Sequence, residues 1–557
     1  MADMSTLPAT PVYDLFVIGG GINGVGIARE ASLQGFSVLL LEKDDICSGV
    51  SAWSGRLAHG GLRYLEHYDF QLVRASLVER ERLIKTAPHL VKAVSWIMPV
   101  YAHNKRPGWL VKLGMVFFDF LSFDKTSPNH KSLSKKEILH RFPGINSQGL
   151  TGGFQYWDGQ IELAERLCVE VALDAIAHGA VVKTHSRVDA PILDGKRVSG
   201  VTYTDTQTGE IHSAFAPVVY NVSGPWIDRV FKEAADIPAQ PRLNGGTKGS
   251  HLIVNSFPGA PKDVIYYETR TDGRLILVIP WFGKYMLGTT DIRLEEDPGT
   301  ARCDIGELEY LINEVNALIP AANLTFDDVL YTYSGVRPLP YEPKKAESSV
   351  TRTHILFDHS DTGLDGLITI VGGKLTTFRQ LSEEAVKELS RRLKKKIGTS
   401  STRKRSLPGA SAKGLQELTN ELVAAGASPL ISSRLARIYG SRGMQIWERA
   451  KGLDPVKALV ASSDELLRAE VDFVVENEFP KTLTDIMARR LILAFEEGHG
   501  RDLVHEIAAV AALHLGWTEK DIVQEIADYE LWLDHLAVPD VNGPRSDSFG
   551  AKKLSEK

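Results

Sequence analysis

Hydrophobic residues near the start of the chain form two short runs separated by a helical pattern. Residues 15–18 are apolar throughout, and residues 38–41 form a second apolar run that ends at the acidic Glu42. The sequence between them, as far as Gln34, has the spacing of a helix. This order predicts a strand, a helix and a second strand, which together make a βαβ unit with two parallel strands.

The turn that opens this helix carries glycine in the spacing Gly-x-Gly-x-x-Gly. Gly19 allows a tight turn, Gly21 lets a pyrophosphate approach the backbone, and Gly24 lets the helix pack closely on the strand. The phosphates would lie at the positive end of the helix dipole. Glu42 can accept hydrogen bonds from an adenosine ribose, and an acid there favours NAD or FAD over NADP. The motif therefore predicts a dinucleotide without identifying which one.

The rest of the chain continues as alternating predicted strands and helices. Small-residue turns follow two of the strands, at residues 222–226 and 372–377. The second of these turns precedes a helix, so its backbone amides could hold anionic groups or carbonyl oxygens. The pattern predicts a helix over 161–177, a strand over 180–184, a hairpin around 208–209, a strand over 217–221, strand-rich sequence over 248–291, a helix over 305–318 and a buried strand over 367–371.

Two segments allow more than one interpretation. Residues 105–123 combine basic residues with Trp109 and a run of large apolar residues, which fits either a helix in a membrane interface or a helix packed on the protein's own core. Residues 391–405 contain eight Lys or Arg and no acid. This run predicts a solvated linker, with contact to anionic lipid headgroups as the alternative.

Length, charge and cysteine content narrow the class of protein. The 557-residue chain is long enough for two or three domains, and its net charge of -6 argues against a general attraction to nucleic acid. Cys47, Cys168 and Cys303 lie far apart, so neither a disulfide framework nor a metal site is predicted and a reducing compartment is favoured. No secretory signal is expected, and no apolar run reaches the roughly 20 residues that cross a bilayer. We therefore expect a cytoplasmic protein.

The strands predicted to bind the dinucleotide come from the start of the chain, from its middle and from residues near 370. Strand-rich insertions separate them, which is unusual for a simple NAD dehydrogenase and fits a large flavoprotein. We predict an FAD-binding domain over 13–100, 150–235 and 350–390, and a substrate-binding or cap domain over 101–149 and 236–349. The remaining segments are a disordered lead (1–12), a basic linker (391–406), a helical C-terminal domain (407–536) and a tail (537–557).

Eight short motifs together give the chain a family resemblance. It resembles the FAD-dependent (aerobic, respiratory) glycerol-3-phosphate dehydrogenases, among the glutathione-reductase-like and D-amino-acid-oxidase-like flavoproteins. The resemblance implies an α/β fold in which a glutathione-reductase-like FAD-binding Rossmann domain is interleaved with an antiparallel-sheet substrate domain, followed by an all-helical C-terminal domain. The motifs, in family order, are GGGINGVGIA from Gly19, HGGLRYLE from His59, NVSGPW from Asn221, TKGSH from Thr247, IPW from Ile279, GTTD from Gly288, TYSGVRPL from Thr332 and GGKLTT from Gly372.

The chain departs from the family pattern in three places. A Ser- and Thr-rich stretch with lysine is replaced by residues 50–56, which include Trp53 and Arg56. The family's Asp-Asp-Ala-Arg-Leu becomes residues 163–167, with Glu165 at its centre, and NATGPW becomes NVSGPW. These changes leave the flavin interpretation intact and bear on the choice of substrate.

The resemblance implies oxidation of sn-glycerol 3-phosphate to dihydroxyacetone phosphate, with the C2 hydride passing to flavin N5. It also implies that electrons leave through a membrane quinone and that the protein attaches peripherally to the inner face of the cell membrane. A homodimer is left open. Two alternatives remain: an oxidase-like flavoenzyme acting on a D-amino acid or hydroxy acid, and a flavin-binding membrane-associated redox sensor.

Such chemistry needs cations for a phosphate, a base for the C2 hydroxyl and positive potential near the flavin. Of two candidate bases, His251 is preferred to His59. Arg337 could grip oxygen anions bidentately, and Lys374 at a helix start suggests an anion, because a cation there opposes the helix dipole. Arg63, Tyr64 and Thr377 are further substrate candidates. The resemblance and the motifs assign to the cofactor Gly19, Gly20, Gly21, Ile22, Asn23, Gly24, Glu42, Lys43, Ser51, Arg56, Leu57, His59, Gly60, Gly61, Val188, Ser223, Gly224, Gly373, Lys374, Leu375 and Thr376.

Overall fold

The computed structural model describes residues 13–232, 234, 237–345, 350–453, 458–460 and 463–540. The predicted lead over 1–12 and residues 541–557 of the predicted tail lie outside the described residues. The strands are β1 (Leu15–Ile18), β2 (Val38–Leu41), β3 (Leu57–Ala58), β4 (Val91–Tyr101), β5 (Lys131–Ser134), β6 (Leu150–Ile161), β7 (Val181–Lys183), β8 (Ser186–Asp194), β9 (Arg197–Asp205), β10 (Ile211–Phe215), β11 (Val219–Asn221), β12 (Thr247–Val254), β13 (Val264–Glu268), β14 (Leu275–Trp281), β15 (Lys284–Gly288), β16 (Ile292–Arg293), β17 (Val329–Arg337), β18 (Ile355–Asp358) and β19 (Leu367–Val371).

Helices connect these strands and form the C-terminal part. They are α1 (Ile22–Leu33), α2 (Phe70–Thr86), α3 (Gly108–Leu121), α4 (Lys135–Arg141), α5 (Ala164–Ala177), α6 (Ile305–Leu318), α7 (Phe378–Leu393), α8 (Leu415–Ala424), α9 (Pro429–Tyr439), α10 (Gly443–Ala450), α11 (Arg468–Asn477), α12 (Val504–Leu515) and α13 (Glu519–Trp532). No helix among the described residues is long and apolar enough to cross a membrane.

A six-stranded sheet in the order β18-β19-β11-β1-β2-β7 contains the predicted βαβ unit. β1 pairs in parallel with β2 and with β11, and β11 pairs in parallel with β19. The residues of β1, β2, β11 and β19 are all buried, because helices such as α1 and α7 cover the sheet. The carboxyl ends of these parallel strands share one edge, and both predicted glycine turns lie there.

A second large sheet runs in the order β16-β12-β15-β14-β13-β4-β6-β3, with β17 paired to β12 and β5 to β6. The predicted domain boundaries need a correction here, because most of β4 and all of β6 fall in residues assigned to the FAD-binding domain. β6 pairs with β4, and β4 pairs with β13 of the predicted substrate domain. Residues 91–101 and 150–161 therefore belong to the larger sheet.

The helical C-terminal part packs against α5 and the loop after β2, beside the six-stranded sheet, through buried ion pairs. Arg166 of α5 forms a bidentate pair with Glu478, at 2.5 and 2.8 Å, and all of these side-chain atoms are shielded from solvent. Arg489 donates its Nε–H to Asp45 Oδ2 at 2.6 Å, just beyond β2. The predicted helical composition after residue 406 is confirmed, and its contacts reach the loop that follows the βαβ unit.

Helix α3, which covers most of residues 105–123, has one buried face and one exposed face. Val111, Met115 and Phe118 are buried in the protein core. The opposite side is apolar as well, and Trp109 and Phe120 are 70% and 69% exposed. Packing on the protein's own core therefore explains one face of the helix only.

The structure shows that the basic run over residues 391–405, although mostly exposed, is not a free linker. The run begins in the last turn of α7 and continues against the folded protein, where acids from distant segments pair with several of its cations. Lys395 pairs with Asp14 at 3.2 Å, and Arg403 pairs with Glu383. Arg405 pairs with Asp174 at 3.2 Å. These cations already have protein partners, which weakens the alternative of a lipid contact at this run.

Candidate active site

The first glycine turn has the geometry that its spacing predicts. Gly19 has a φ of 113°, and an ideal Cβ on Gly24 would lie 1.9 Å from the Gly19 backbone oxygen. A Cβ on Gly21 would meet only Ser51 Oγ, at 3.3 Å. Ser51 Oγ also accepts a hydrogen bond from the Ile22 backbone N–H at 3.0 Å. Gly24 is thus fixed by packing, whereas Gly21 leaves room for a pyrophosphate at the helix N-terminus.

Glu42 lies at the tip of β2 and contacts the glycine turn directly. Gly20 donates its backbone N–H to Glu42 Oε2 at 2.6 Å, and Asp44 donates its N–H to Oε1 at 3.0 Å. Burial, followed by the neighbouring charge of Asp44, raises the pKa of Glu42 above its ordinary value. Lys43 pairs with Asp44. The position of Glu42 suits the predicted contact with a ribose, which stays a prediction.

The second glycine turn lies against the first. A Cβ on Gly373, whose φ is 96°, would lie 2.8 Å from Asn23 Nδ2. Asn23 Oδ1 is buried and has no hydrogen-bond partner among the described residues. After Lys374 the chain forms a short 3₁₀ turn over Leu375–Thr377, in which Thr376 and Thr377 are buried, before α7 begins. Two helix N-termini and a buried orphan oxygen therefore converge where a dinucleotide is expected.

Three further predicted cofactor residues line or support this edge. A Cβ on Gly19 would lie 2.8 Å from the Val222 oxygen, so the turn at Ser223 and Gly224 is close to the first glycine turn. Ser223 donates its hydroxyl to Asn221 Oδ1 at 2.7 Å. Val188 of β8 is buried in a separate apolar core beside β1 and β2.

The loop from Leu57 to Gly61 is tied to the larger sheet. β3 pairs with β6, and Gly60 donates its backbone N–H to Asp158 at 3.0 Å. A Cβ on Gly60 would lie 2.7 Å from the Phe118 ring, so helix α3 packs directly on this loop. Gly61, with a φ of 76°, then turns the chain into the 3₁₀ segment Leu62–His67.

Arg337 and Lys374 lie in a group of basic side chains drawn from several segments. Arg337 Nη1 is 3.1 Å from Asp291 Oδ1, and Arg337 Nη2 donates to Thr289 Oγ1 at 3.2 Å. Arg274 and Arg352 approach the other oxygen of Asp291 at 3.7 and 3.9 Å. Sequence reasoning missed these three residues: Asp291 closes the GTTD motif, but no local signal marks Arg274 or Arg352. We call this group the cation cluster; its members are Arg63, Arg274, Arg337, Arg352 and Lys374.

The positive charges of the cluster act on one another. Burial, with the charges of Arg337 and Arg63, lowers the pKa of Arg352. Burial likewise lowers the pKa of Lys374, and Arg352 adds to this shift. Lys374 Nζ donates to Ser76 Oγ at 2.9 Å and lies 4.6 Å from the centre of the Tyr64 ring. Mutual repulsion of this kind would be relieved by a bound anion.

Both candidate bases are neutral near pH 7. Burial, then Arg337 and Arg56, lowers the pKa of His251 to about 3. Burial, then Lys374 and Arg352, brings the pKa of His59 well below its ordinary value. His251 is 4% exposed, and its Nδ1 has no hydrogen-bond partner among the described residues.

Arg56 was predicted to bind the cofactor, and its side chain is engaged elsewhere. Its guanidinium forms a bidentate pair with Glu165, with both donor–acceptor distances at 2.7 Å. Arg56 is 1% exposed and Glu165 is fully buried. Any contact of Arg56 with a cofactor would therefore involve its backbone.

Comparison with known proteins gives the family. A family model described as FAD dependent oxidoreductase matches residues 14–379, and one described as the C-terminal domain of alpha-glycerophosphate oxidase matches residues 400–522. The glycerol-3-phosphate dehydrogenase of Synechocystis sp. is 42% identical over 540 residues, which span 95% of this chain and 97% of that protein. The D-erythritol 1-phosphate dehydrogenase of Brucella abortus is 36% identical, spanning 86% of this chain and 93% of that protein.

A solved structure extends the comparison to the whole fold. The glycerol-3-phosphate dehydrogenase from Bacillus halodurans, determined as a complex with FAD, superposes with a TM-score of 0.77 at 27% identity, and 96% of each chain is covered. The two facing glycine turns, the room beside Gly21 and the orphan oxygen of Asn23 fit FAD as the cofactor. The chain therefore belongs to the family of FAD-dependent glycerol-3-phosphate dehydrogenases.

Proposed function

We propose that the protein oxidises sn-glycerol 3-phosphate to dihydroxyacetone phosphate. The observation that carries this proposal is the cation cluster beside a buried, neutral histidine. FAD, when bound between the two glycine turns, supplies the acceptor for the hydride that leaves C2. The names of the Synechocystis and Bacillus relatives support the substrate.

In this proposal the cation cluster binds the substrate phosphate. Arg337 presents a planar fork beside Thr289, and such a fork matches phosphate oxygens bidentately. Lys374 contributes a buried ammonium group whose pKa is lowered mainly by burial, so it gains most from an anionic partner. Arg63 and Arg352 add charge from two other segments. The phosphate is carried on C3, next to the reacting carbon, so holding it would orient C2.

His251 is the proposed base for the C2 hydroxyl. Burial keeps its imidazole neutral at pH 7, and the negative charge of the bound phosphate would raise its pKa and so make it a stronger base. Nε2 is the proposed acceptor atom, because it lies 3.5 Å from the position of a Cβ on Gly55, at the loop expected to line the flavin. The imidazolium formed would be stabilised by the phosphate held nearby. His59, crowded by Lys374 and Arg352, is the weaker candidate.

Anaerobic mixing of the holoenzyme with sn-glycerol 3-phosphate tests the substrate directly. We expect rapid loss of the flavin absorbance near roughly 450 nm. D-Erythritol 1-phosphate and a D-amino acid are the informative comparisons, since each represents a different relative or a rival activity. Bleaching by either of these but not by glycerol 3-phosphate would overturn the substrate assignment.

Turnover with an artificial acceptor separates an enzyme from a flavin-binding redox sensor. We expect steady turnover that collapses in Arg337→Ala while the FAD content of the variant stays complete. Turnover that is negligible in the wild type, or unchanged in Arg337→Ala, would contradict the proposal.

We further propose that the exposed face of α3 contacts a membrane surface and that a membrane quinone accepts the electrons. Leu113, Phe120 and Phe123 are 60, 69 and 79% exposed, and Lys112 beside them is also exposed. Such a mixture of rings, aliphatic side chains and cations suits the interface of an anionic bilayer. The other face of α3 packs through Phe118 on Gly60, so an acceptor arriving from the membrane would approach the flavin loop.

Vesicle sedimentation tests this surface. Leu113→Glu/Phe120→Glu should lose binding to vesicles that contain anionic phospholipid, and should lose quinone reduction while keeping reduction by glycerol 3-phosphate. Leu513→Glu/Leu531→Glu is the matched control, because these residues are 83% and 68% exposed on α12 and α13. Equal vesicle binding by both double variants would place the membrane contact elsewhere.

A further inference from the structure

The ring of His251 is oriented by packing. Its backbone pairs with Gly288 of β15 and with Tyr333 of β17. A Cβ on Gly288 would lie 2.6 Å from His251 Cδ2, so the ring crosses this glycine. The Tyr333 ring lies against the His251 ring at 4.9 Å between centres. Because Nδ1 finds no hydrogen-bond partner among the described residues, the placement of the ring depends on packing between Gly288 and Tyr333.

Tyr333 is itself held by the loop over residues 51–57. Its hydroxyl donates to the Ser54 backbone oxygen at 2.9 Å. The Trp53 ring lies 5.8 Å from the Tyr333 ring, and the Trp53 backbone oxygen would be 2.4 Å from a Cβ on Gly335. The loop is thus pressed onto β17 at the position from which Tyr333 contacts the histidine.

The C-terminal helical part holds the other side of Trp53. The His535 ring is stacked on Trp53 with an interplanar angle of 4° and 6.1 Å between centres. Trp532 and Phe495 approach the same indole at 5.8 and 6.3 Å. We call these side chains, together with two that contact them, the aromatic cluster: Trp53, Trp281, Tyr333, Phe495, Trp532 and His535.

A buried ion pair fastens the aromatic cluster to α5. The Arg56 guanidinium lies 4.7 Å from the Trp281 ring centre, 4.9 Å from that of Phe495 and 5.9 Å from that of Tyr333. It donates to the Ala52 backbone oxygen at 3.2 Å and forms the bidentate pair with Glu165. Arg56 and Glu165 lie far apart in the sequence, and their pair joins the loop over residues 51–57 to α5.

We propose that the aromatic cluster, fastened by the Arg56–Glu165 pair, positions His251 for proton transfer. The inference rests on the proposed role of His251 as the base. Trp53 and Arg56 are positioning residues, since they reach the histidine through Tyr333. The C-terminal helical part then takes part in catalysis by holding the indole of Trp53 in place.

Charged groups face His251 from two packed elements. Arg337 extends from β17 and Arg56 from the loop over residues 51–57, and both favour the neutral imidazole. Tyr333, from β17, is uncharged over the working pH range, because burial raises the pKa of its hydroxyl to about 12. Loss of Arg56 would therefore disturb the orientation of His251. It would also remove one of the two cations that, after burial, favour the neutral imidazole.

Rapid-reaction kinetics of the holoenzyme with glycerol 3-phosphate test the inference through Trp53→Leu. We expect the limiting rate of flavin reduction to fall by roughly 10- to 100-fold, because a small misplacement of a catalytic group has effects of this size. The Kd for the substrate and the FAD content should be unchanged, and Trp53→Phe should restore most of the rate. Trp447→Leu, in α10, is the matched control and should leave the rate constant per bound flavin at the wild-type value.

The Arg56–Glu165 pair provides a second and independent test of the inference. Arg56→Met/Glu165→Met removes both charges, and we expect the same loss of limiting rate, with the Kd for the substrate and the FAD content unchanged. Arg434→Met/Glu470→Met removes an equally buried pair in the C-terminal part and should leave the limiting rate per bound flavin at the wild-type value.

The outcomes separate the two proposals. If glycerol 3-phosphate bleaches the wild-type flavin but the Trp53 and Arg56 variants keep the wild-type limiting rate, the positioning role alone is overturned. A lower melting temperature with an unchanged rate per flavin would do the same, since it would show a purely structural cluster. Wild-type flavin that stays oxidised would overturn the proposed function and this inference with it.

Discussion

Replacing Gly24 by alanine puts a methyl carbon where the fold has no room for it. An ideal Cβ on Gly24 lies 1.9 Å from the backbone oxygen of Gly19, whereas real Cβ atoms stay beyond 3.0 Å. Helix α1 must therefore move away from β1 by about 1 Å, against backbone that cannot rotate aside. Overpacking in a close-packed interior costs about 1–3 kcal/mol, and a contact with backbone belongs at the upper end.

Gly21→Val perturbs the cofactor site without this strain. The only atom near a Cβ on Gly21 is Ser51 Oγ, at 3.3 Å, so the apoprotein should lose no more than about 1 kcal/mol, the cost of replacing a helix N-cap glycine by valine. The side chain would occupy the space into which the pyrophosphate fits, so we expect FAD to be lost. Substitution of the two glycines of one motif should thus have different effects: Gly24→Ala mainly lowers stability, whereas Gly21→Val mainly removes FAD.

Melting curves of the apoproteins and the flavin content of the purified variants measure these effects. We expect Gly24→Ala to lower Tm by roughly 2–3 °C and to lose part of its FAD, and Gly21→Val to be colourless with an apoprotein Tm within roughly 1 °C of the wild type. Gly114→Ala is the control, because this glycine lies in α3 with nothing within 4 Å of its Cβ. A Gly21→Val protein that retains stoichiometric FAD, or a Gly24→Ala protein as stable as Gly114→Ala, would refute the reasoning.

Three further predictions concern the charged groups of the site. Lys374→Met should raise the Kd for glycerol 3-phosphate by roughly 10- to 100-fold, measured by titrating flavin reduction, and an unchanged Kd would remove the lysine from the phosphate site. Arg352→Met should weaken the same binding while leaving FAD bound, although it was not predicted from the sequence; loss of FAD would instead place it at the cofactor. His251 titrates near pH 6.5 when unfolded and at about 3 when folded, so its stabilising contribution is present above pH 6.5 and is lost as the pH falls toward 3. Between pH 7 and pH 5 the unfolding free energy of the wild type should therefore drop by about 2 kcal/mol more than that of His251→Gln, and parallel denaturation curves would contradict this.

Sequence reasoning succeeded where a structure is encoded locally. The strand, glycine turn, helix and second strand over residues 15–41 follow from spacing alone, and the second glycine turn at residue 372 was recognised by the same logic. Their approach to one another, seen in the contact between Gly373 and Asn23, depends on strand order, which the local pattern does not contain.

The errors in the predicted domain boundaries and in the predicted linker have the same physical origin, because both depend on contacts between residues far apart in the sequence. β4 and β6 have the apolar pattern of any buried strand, and only β13, more than a hundred residues beyond β6, assigns them to the larger sheet. The basic run after residue 391 was interpreted as solvated because its acidic partners, such as Asp14 and Asp174, lie far away in the sequence. Arg352 stands in no motif and joins the cation cluster only through the fold.

The strand order of the cofactor sheet also determines how the protein can be made. β1 pairs with β11, and β11 pairs with β19, so the sheet that carries both glycine turns is incomplete until residue 371 has been synthesised. At about 5–20 residues per second, the ribosome needs on the order of 20–70 s to reach that point from β1. Until residue 221 has been made, the edge of β1 that β11 later covers has no native partner, and until residue 371 the same is true of the edge of β11 that β19 covers. Chaperones that protect these open strand edges during translation should therefore raise the yield of folded protein.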